Sequence, residues 1–419
     1  MTVFALVDGN SFYCSCERAF DPTLRGKPLV VLSNNDGCVI ARTQEAKDRG
    51  VKMAEPWHIA SKRPGAKDII WMSSNYALYG DMSRRLYEVL AANAPAVEPY
   101  SIDEMFLDLT GVSDPVALAY RVRAEARRIA KIPTCVGIGP TKTIAKLANK
   151  AAKSYRTDVG ICDLSTEAAR AETYAQMHIS DVWGIGPAAV AKLAKLSVTT
   201  VADFMRLPND EVRDLLTVTG ARTHRELASV SCIPFSQAPA TRESLAVTRS
   251  FGRAVTRWPE MEQALAVYAT RAAEKLRHHG LVAGGLQVFM RTNQFNKDPR
   301  YFNQATFGIE TTADTLVLIK DVVRAGQRLW RDGYRYAKAG VVLLDLARSA
   351  EQPRDLFPST DRERRARLMT ALDSVNLRYG RRTLSPAAAG IAHSSWSMRR
   401  QRLSPRYTTD FDELLTARS

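Results

Sequence analysis

The sequence predicts a multidomain α+β protein, and three stretches carry that expectation. "TVFALVD", residues 2–8, is an almost wholly apolar strand of the kind that lies mid-sheet with both faces covered. Residues 165–235 carry helical patterns only. Residues 242–346 read strand, helix, strand, strand, helix, strand, the split βαβ order of a small α+β domain.

The elements follow in order. Asp8 lies at the exit of the first strand, and "GNSFYCSCERAF" continues as a short helix with Asn10 and Ser11 as candidate N-caps. "PLVVLS" and "CVIA" flank "NNDG", a hairpin signal. Helices are expected around 75–92 and 115–131, with the strand "IDEMFLDL" between them. "TCVGIG" then reads as a strand and "TKTIAKLANKAAKSY" as a helix. "SQAPAT", 236–241, is a polar linker. In the next domain the strands are "ESLAVTRSFG", "AGGLQVFMRT", "YFNQATFGI" and "YAKAGVVLLDL", and the helices "MEQALAVYATRAAEKLRHH" and "TADTLVLIKDVVRAGQRLW". No Lys follows Lys338 and Arg carries all later positive charge, so a partly disordered, partner-binding tail is expected beyond Leu346.

The 419 residues leave room for roughly two to four domains. With 45% hydrophobic and 25% charged residues, the composition is that of a globular protein. No stretch approaches the ~20 apolar residues that cross a bilayer, and Met1–Gly9 lacks signal-peptide features, so a cytoplasmic location is expected. The cysteines at 14, 16, 38, 135, 162 and 232 form no paired CxxC spacing and read as reduced thiols. A formal charge of +15 favours a polyanionic partner, nucleic acid ahead of acidic membranes.

"EPYSIDEMFLDLTG", residues 98–111, places Asp103 and Glu104 inside an otherwise apolar strand, where an ionised carboxylate needs a strong partner. If this strand neighbours the first, Asp8, Asp103 and Glu104 converge, the donor type that holds Mg²⁺ for phosphoryl transfer. Adjacent strand residues point to opposite faces, so Asp103 and Glu104 share one ion only where the strand bends or the ion lies at its edge. The competing assignment makes Asp8 a helix-flanking cap, Asp103 a salt-bridge partner and Glu104 a solvated side chain.

Lys142, Lys146, Lys150 and Lys153 form one helical stripe, opposite Ile144, Leu147 and Ala151. Such a stripe suits phosphates or is simply a solvated face. No glycine immediately precedes Lys142, which excludes a Walker A loop. In "VWGIGPAAVAKL", Gly184 and Gly186 bracket a turn and Pro187 opens a helix, with Lys192 and Lys195 nearby. This reads as a helix-hairpin-helix, whose backbone N–H groups hold nucleic-acid phosphate, or as an ordinary helix–helix turn. Phe12 and Tyr13 read as core aromatics.

Taken with "GKPLVVLSNNDGCVIAR", "SSNYALYGDMS", "DVWGIG", "RSFG", "ATRAAEKLR" and "LSPRYTT", these stretches resemble the Y-family of translesion DNA polymerases, most closely its UmuC branch, over nearly the whole chain. The resemblance implies a right-hand architecture: palm and small fingers over 1–165 (fingers about 18–75), a helical thumb over 166–235, a linker at 236–241, a little finger over 242–346 and a tail over 347–419. It implies error-prone, template-directed insertion of deoxynucleotides opposite damaged bases, in SOS mutagenesis, without proofreading. It assigns two Mg²⁺ to Asp8, Asp103 and Glu104, with the Gly9 carbonyl as a further ligand. Tyr13 looks like the steric gate against a ribose 2′-OH, with Phe12 beside it, and Lys146 meets the triphosphate. Where relatives carry a Tyr and an Arg in the fingers, "ARTQEAK" offers Gln44 and Lys47, with Arg42 as a substitute. Asn10 stands where many relatives have a second acidic residue. Gly184, Gly186, Lys192 and Arg249 are assigned to primer-template DNA. Gln352, Leu356 and Phe357 in "EQPRDLF" resemble a sliding-clamp-binding peptide. A processed UmuD-type dimer and a RecA filament are the implied partners, and nucleoid association the implied working location. A non-catalytic DNA-binding accessory protein is the alternative, and it would need no carboxylate triad.

Overall fold

The structure, a computed structural model, describes residues 2–154, 160–236, 242–351, 362–390, 394–414 and 416. The chain forms two compact units, Met1–Pro239 together with Gln401–Ser419, and Ala240–Arg400.

In the first unit, β1 (Phe4–Gly9) leads into α1 (Phe12–Phe20). Ser11 holds the N-cap position of this helix with a left-handed backbone (φ 48°), but its side chain does not bond to the helix and its hydroxyl donates to the Arg42 carbonyl at 2.8 Å. Then come β2 (Leu29–Leu32), β3 (Val39–Arg42), α2 (Gln44–Asp48), α3 (Trp57–Ala60) and β4 (Ile70–Ser73). The expected hairpin is present, with β2 and β3 antiparallel and β4 joining β2 in parallel as a small separate sheet. Asn35 and Asp36 in its turn adopt the left-handed backbone that Asn and Asp tolerate.

The chain continues through α4 (Tyr76–Ala91), β5 (Ala96–Pro99), β6 (Glu104–Asp108), α5 (Pro115–Glu125), β7 (Thr134–Gly139), α6 (Lys142–Ser154) and β8 (Ile161–Asp163). A five-stranded sheet forms in the order β5-β6-β1-β7-β8. β1 is central as its apolar pattern requires, with Ala5, Leu6 and Val7 fully buried. α6 packs so closely on β7 that a Cβ on Gly137 would lie 2.0 Å from the Asn149 backbone nitrogen. The helical region comprises α7 (Glu167–Gln176), α8 (Pro187–Ala194), α9 (Val201–Met205) and α10 (Asn209–Leu227), closed around Leu193, Val201, Phe204 and Val212.

The second unit has the expected order: β9 (Leu245–Val255), α11 (Trp258–His278), β10 (Leu281–Thr292), β11 (Phe302–Thr312), α12 (Thr315–Leu329) and β12 (Tyr336–Arg348). The antiparallel sheet runs β11-β10-β12-β9, with α11 and α12 contributing to its core.

The described parts of the tail are folded. α13 (Arg362–Tyr379) and Trp396 pack within the second unit. From Gln401 the chain rejoins the first unit, where Ser404 and Tyr407 are buried. Gln352, Leu356 and Phe357 lie outside the described residues.

Candidate active site

The register of β1 against β6 sets Asp8 opposite Glu104, and opposite residues of an antiparallel pair share a face. Asp103 precedes the strand, which removes the opposite-face difficulty. The Ser101 hydroxyl accepts from the Asp103 and Glu104 N–H groups (3.2 and 3.0 Å) and donates to Asp103 Oδ1 (2.7 Å), so the chain turns here. The Asp103 carbonyl accepts from Gly9 N–H at 2.8 Å, tying the turn to the end of β1.

Burial pushes the Asp8 carboxyl up to about 6; Lys153 opposes the rise, and Asp103 and Glu104 add to it by repulsion. The three carboxylates therefore share one electrostatic field. Among the described residues no three His, Cys or acidic side chains close into a ready-made metal cage. Lysines hold two of the carboxylates instead: Lys153 Nζ lies 2.6 Å from Asp8, and Lys146 Nζ 2.8 and 2.7 Å from the two oxygens of Glu104.

The lysine stripe is thus divided by its partners. Lys142 is only 1% exposed, bonded to both Glu98 oxygens (2.7 and 2.6 Å) and to the Pro234 carbonyl (2.8 Å), with the Phe106 and Phe235 rings beside it. A buried ammonium in a complete ion pair does not leave it for a phosphate, so Lys142 fits neither the phosphate-facing nor the solvated reading of the stripe. Lys150 faces Asp181. Lys146 also sits over the rings of Tyr100 (4.4 Å) and Trp183 (5.5 Å).

Phe12 is buried, as a core aromatic should be. Tyr13 is half-buried and stacks on Tyr79 at 4.3 Å, with Tyr76 edge-on at 6.2 Å. Burial, then Tyr76 and Asp103, raise the Tyr13 hydroxyl above its usual range, so this ring borders the carboxylates. On α2, Lys47 is held below its usual range by partial burial and by the charges of Arg42 and Lys153. Arg42 donates to the Val51 carbonyl. Gln44 donates to Asp48 in its own helix. Asn10 donates to Cys135 Sγ.

Gly184 has φ 91°, the left-handed backbone that favours glycine, and Gly186 caps α8 ahead of Pro187. The arm before the turn is a three-residue 3₁₀ segment, Ile179–Asp181. Lys192 donates to the Leu215 carbonyl. Arg249 is exposed on the edge strand β9 of the second unit. Lys153, Tyr79 and Trp183 were not assigned to the site from sequence; only Lys153 carried a signal, its place on the stripe.

The impB/mucB/samB family matches residues 7–150, its C-terminal domain residues 242–356, and a domain of unknown function (DUF4113) residues 366–417. A solved Y-family DNA polymerase chimera shares the fold, with a TM-score of 0.66 at 21% identity, covering 82% of this chain and 98% of that one. DNA polymerase IV of Caulobacter vibrioides is 28% identical, covering 90% of this chain and 91% of that protein. Fold and relatives together define a Y-family DNA-directed DNA polymerase, acting on DNA and nucleotides. Protein UmuC of Salmonella typhimurium is 40% identical over 99% of both chains, and Protein MucB of Escherichia coli 38% over 98% of both. The chain belongs to the impB/mucB/samB family, the UmuC branch of these translesion polymerases.

Such a polymerase depends on a divalent metal, and the residues present fit one. The donors are hard carboxylate oxygens, with Asp8 opposite Glu104 across β1 and β6 and Asp103 on the adjoining turn. No helix among the described residues is long and apolar enough to cross a membrane.

Proposed function

We propose that this chain extends primers past damaged template bases using two Mg²⁺ held by Asp8, Asp103, Glu104 and the Gly9 carbonyl, and that it serves SOS mutagenesis. The observation that carries the reading is the Asp8–Glu104 register, with Asp103 on the adjoining turn. These residues would hold the metal, whose charge would activate the primer 3′-hydroxyl and offset that of the departing pyrophosphate. Lys146 and Lys153 exchange their carboxylate partners for phosphate oxygens, and Lys47 and Arg42 add positive charge from the fingers side. Tyr13 occupies the space a ribose 2′-hydroxyl would need, backed by Phe12 and Tyr79.

In this reading, residues 1–165 are palm and fingers, 166–235 the thumb, 236–241 the linker, 242–346 the little finger and 347–419 the partner-binding tail. Gly184, Gly186, Lys192 and Arg249 hold the DNA backbone, and the +15 charge makes binding salt-sensitive. A processed UmuD-type dimer, a RecA filament and a sliding clamp engaging Gln352, Leu356 and Phe357 complete the assembly.

The test is primer extension with Mg²⁺ on undamaged and abasic templates, with and without the RecA filament and processed UmuD-type partner. Extension by the wild type is expected to vanish in Asp103→Ala/Glu104→Ala while DNA binding persists. Equal extension by both proteins would refute the carboxylate assignment.

A further inference from the structure

We infer that the C-terminal strap, Gln401–Glu413, takes part in sugar selection, with Ser404, Glu17 and Tyr79 as positioning residues for Tyr13. The inference rests on the reading of Tyr13 as the steric gate.

Tyr13, Glu17 and Phe20 stand at i, i+4 and i+7 on α1 and so form one stripe along the helix. At one end Tyr13 stacks on Tyr79 of α4, with ring centroids 4.3 Å apart and planes 17° apart. The same Tyr79, fully buried, donates its hydroxyl to Glu17 Oε1 at 2.7 Å. Tyr79 therefore spans the stripe, with its ring on the gate and its hydroxyl one turn further along.

The strap closes the other end. The Ser404 hydroxyl donates to the same Glu17 oxygen at 3.1 Å and accepts from Asn75 Nδ2 at 3.0 Å. Tyr407 stacks on Phe20 at 4.9 Å, with planes 4° apart. Upstream, the strap bonds to the end of β4: Ser73 N–H donates to the Arg402 carbonyl (2.9 Å) and Arg402 N–H to the Ser73 hydroxyl (3.1 Å). Gln401 N–H donates to Asp36 Oδ2 (3.0 Å), and the Arg402 guanidinium lies over Trp71 at 4.6 Å. Residues some 390 positions away in sequence thus complete the hydrogen bonding of the helix that carries the gate.

Glu17 is the point where strap and gate meet. It is 1% exposed, and among the described residues its Oε2 has no hydrogen-bond partner. Burial pushes its carboxyl up to about 7, against the opposing effect of Tyr79 and Ser404. Lifting the strap admits water to Glu17, loosens the Tyr79 hydroxyl and releases the ring that backs Tyr13. The cost falls on where Tyr13 sits, not on the carboxylates. Discrimination against ribonucleotides should weaken while deoxynucleotide insertion continues.

The experiment compares dGTP with GTP opposite template dC, using the full chain with its partner proteins. It reads single-turnover insertion and, with a 3′-dideoxy primer, nucleotide affinity in the ternary complex. Tyr79→Phe removes the bond to Glu17, and Ser404→Ala removes the bond to Glu17 together with the one accepted from Asn75; each variant should raise the GTP/dGTP efficiency ratio about threefold to tenfold. Glu17→Gln keeps an acceptor for both hydroxyls and should restore a near-wild-type ratio, whereas Glu17→Leu should not. Thermal melts exclude unfolding as the cause. Tyr13→Ala separates the two readings. If it leaves the ratio unchanged, the gate assignment fails and the inference with it. If it relaxes the ratio while Ser404→Ala, Tyr79→Phe and Glu17→Leu do not, the strap's role alone is refuted.

Discussion

Lys142→Met tests the division of the lysine stripe into structural and functional halves. The substitution keeps a long apolar stem but removes the ammonium, leaving Glu98 and the Pro234 carbonyl without the bonds they receive from Lys142 at 2.6–2.8 Å. Glu98 retains only the Ser236 N–H at 2.6 Å in place of its bonds from Lys142. Breaking a buried pair from one side costs about 3–5 kcal/mol. For a unit of this size that lowers the melting temperature by roughly 6–20 °C. Thermal and urea denaturation measure the loss, and nucleotide affinity per folded molecule should stay at the wild-type value. Adding Glu98→Leu should recover part of the stability, because the orphaned charge is then gone. A loss under about 1 kcal/mol, or a selective loss of nucleotide affinity, would refute the structural assignment.

Two further outcomes are expected. Glu17 has a folded value of about 7 against an ordinary 4.5, so between those pH values the folded protein keeps a proton that the unfolded chain has released. Its contribution is complete below about pH 4.5 and lost as pH rises through about 7, a change of about 3 kcal/mol that Glu17→Gln should flatten in denaturation curves. Lys47→Ala should raise the dNTP KM about tenfold with kcat little changed, as expected for losing one charge-assisted contact to the triphosphate, read by single-nucleotide insertion kinetics.

Much of the scaffold was legible because it rests on local pattern. The apolar run before Asp8 marked a central strand, and alternating strand and helix periods marked the βαββαβ unit. The approach of Asp8 to Glu104 was legible as carboxylates in apolar strands. The turn that reconciles Asp103 with Glu104 was not, since it depends on a Ser101 hydroxyl bonding to the backbone. The N-cap position of Ser11 was legible, but the partner of its hydroxyl was not, since it is the Arg42 carbonyl across the fold.

The stripe and the tail show the same boundary more sharply. Helical periodicity determined that four lysines share one face of α6, and composition determined that the tail is Arg-rich. Only tertiary structure decided that Lys142 is sealed against Glu98 while Lys146 and Lys153 reach Glu104 and Asp8. Only tertiary structure returned Ser404 to Glu17, beside the helix of Tyr13. Periodicity records which side of a helix a residue occupies; the partner that meets it, and so its charge and its work, comes from chain segments that only folding brings near.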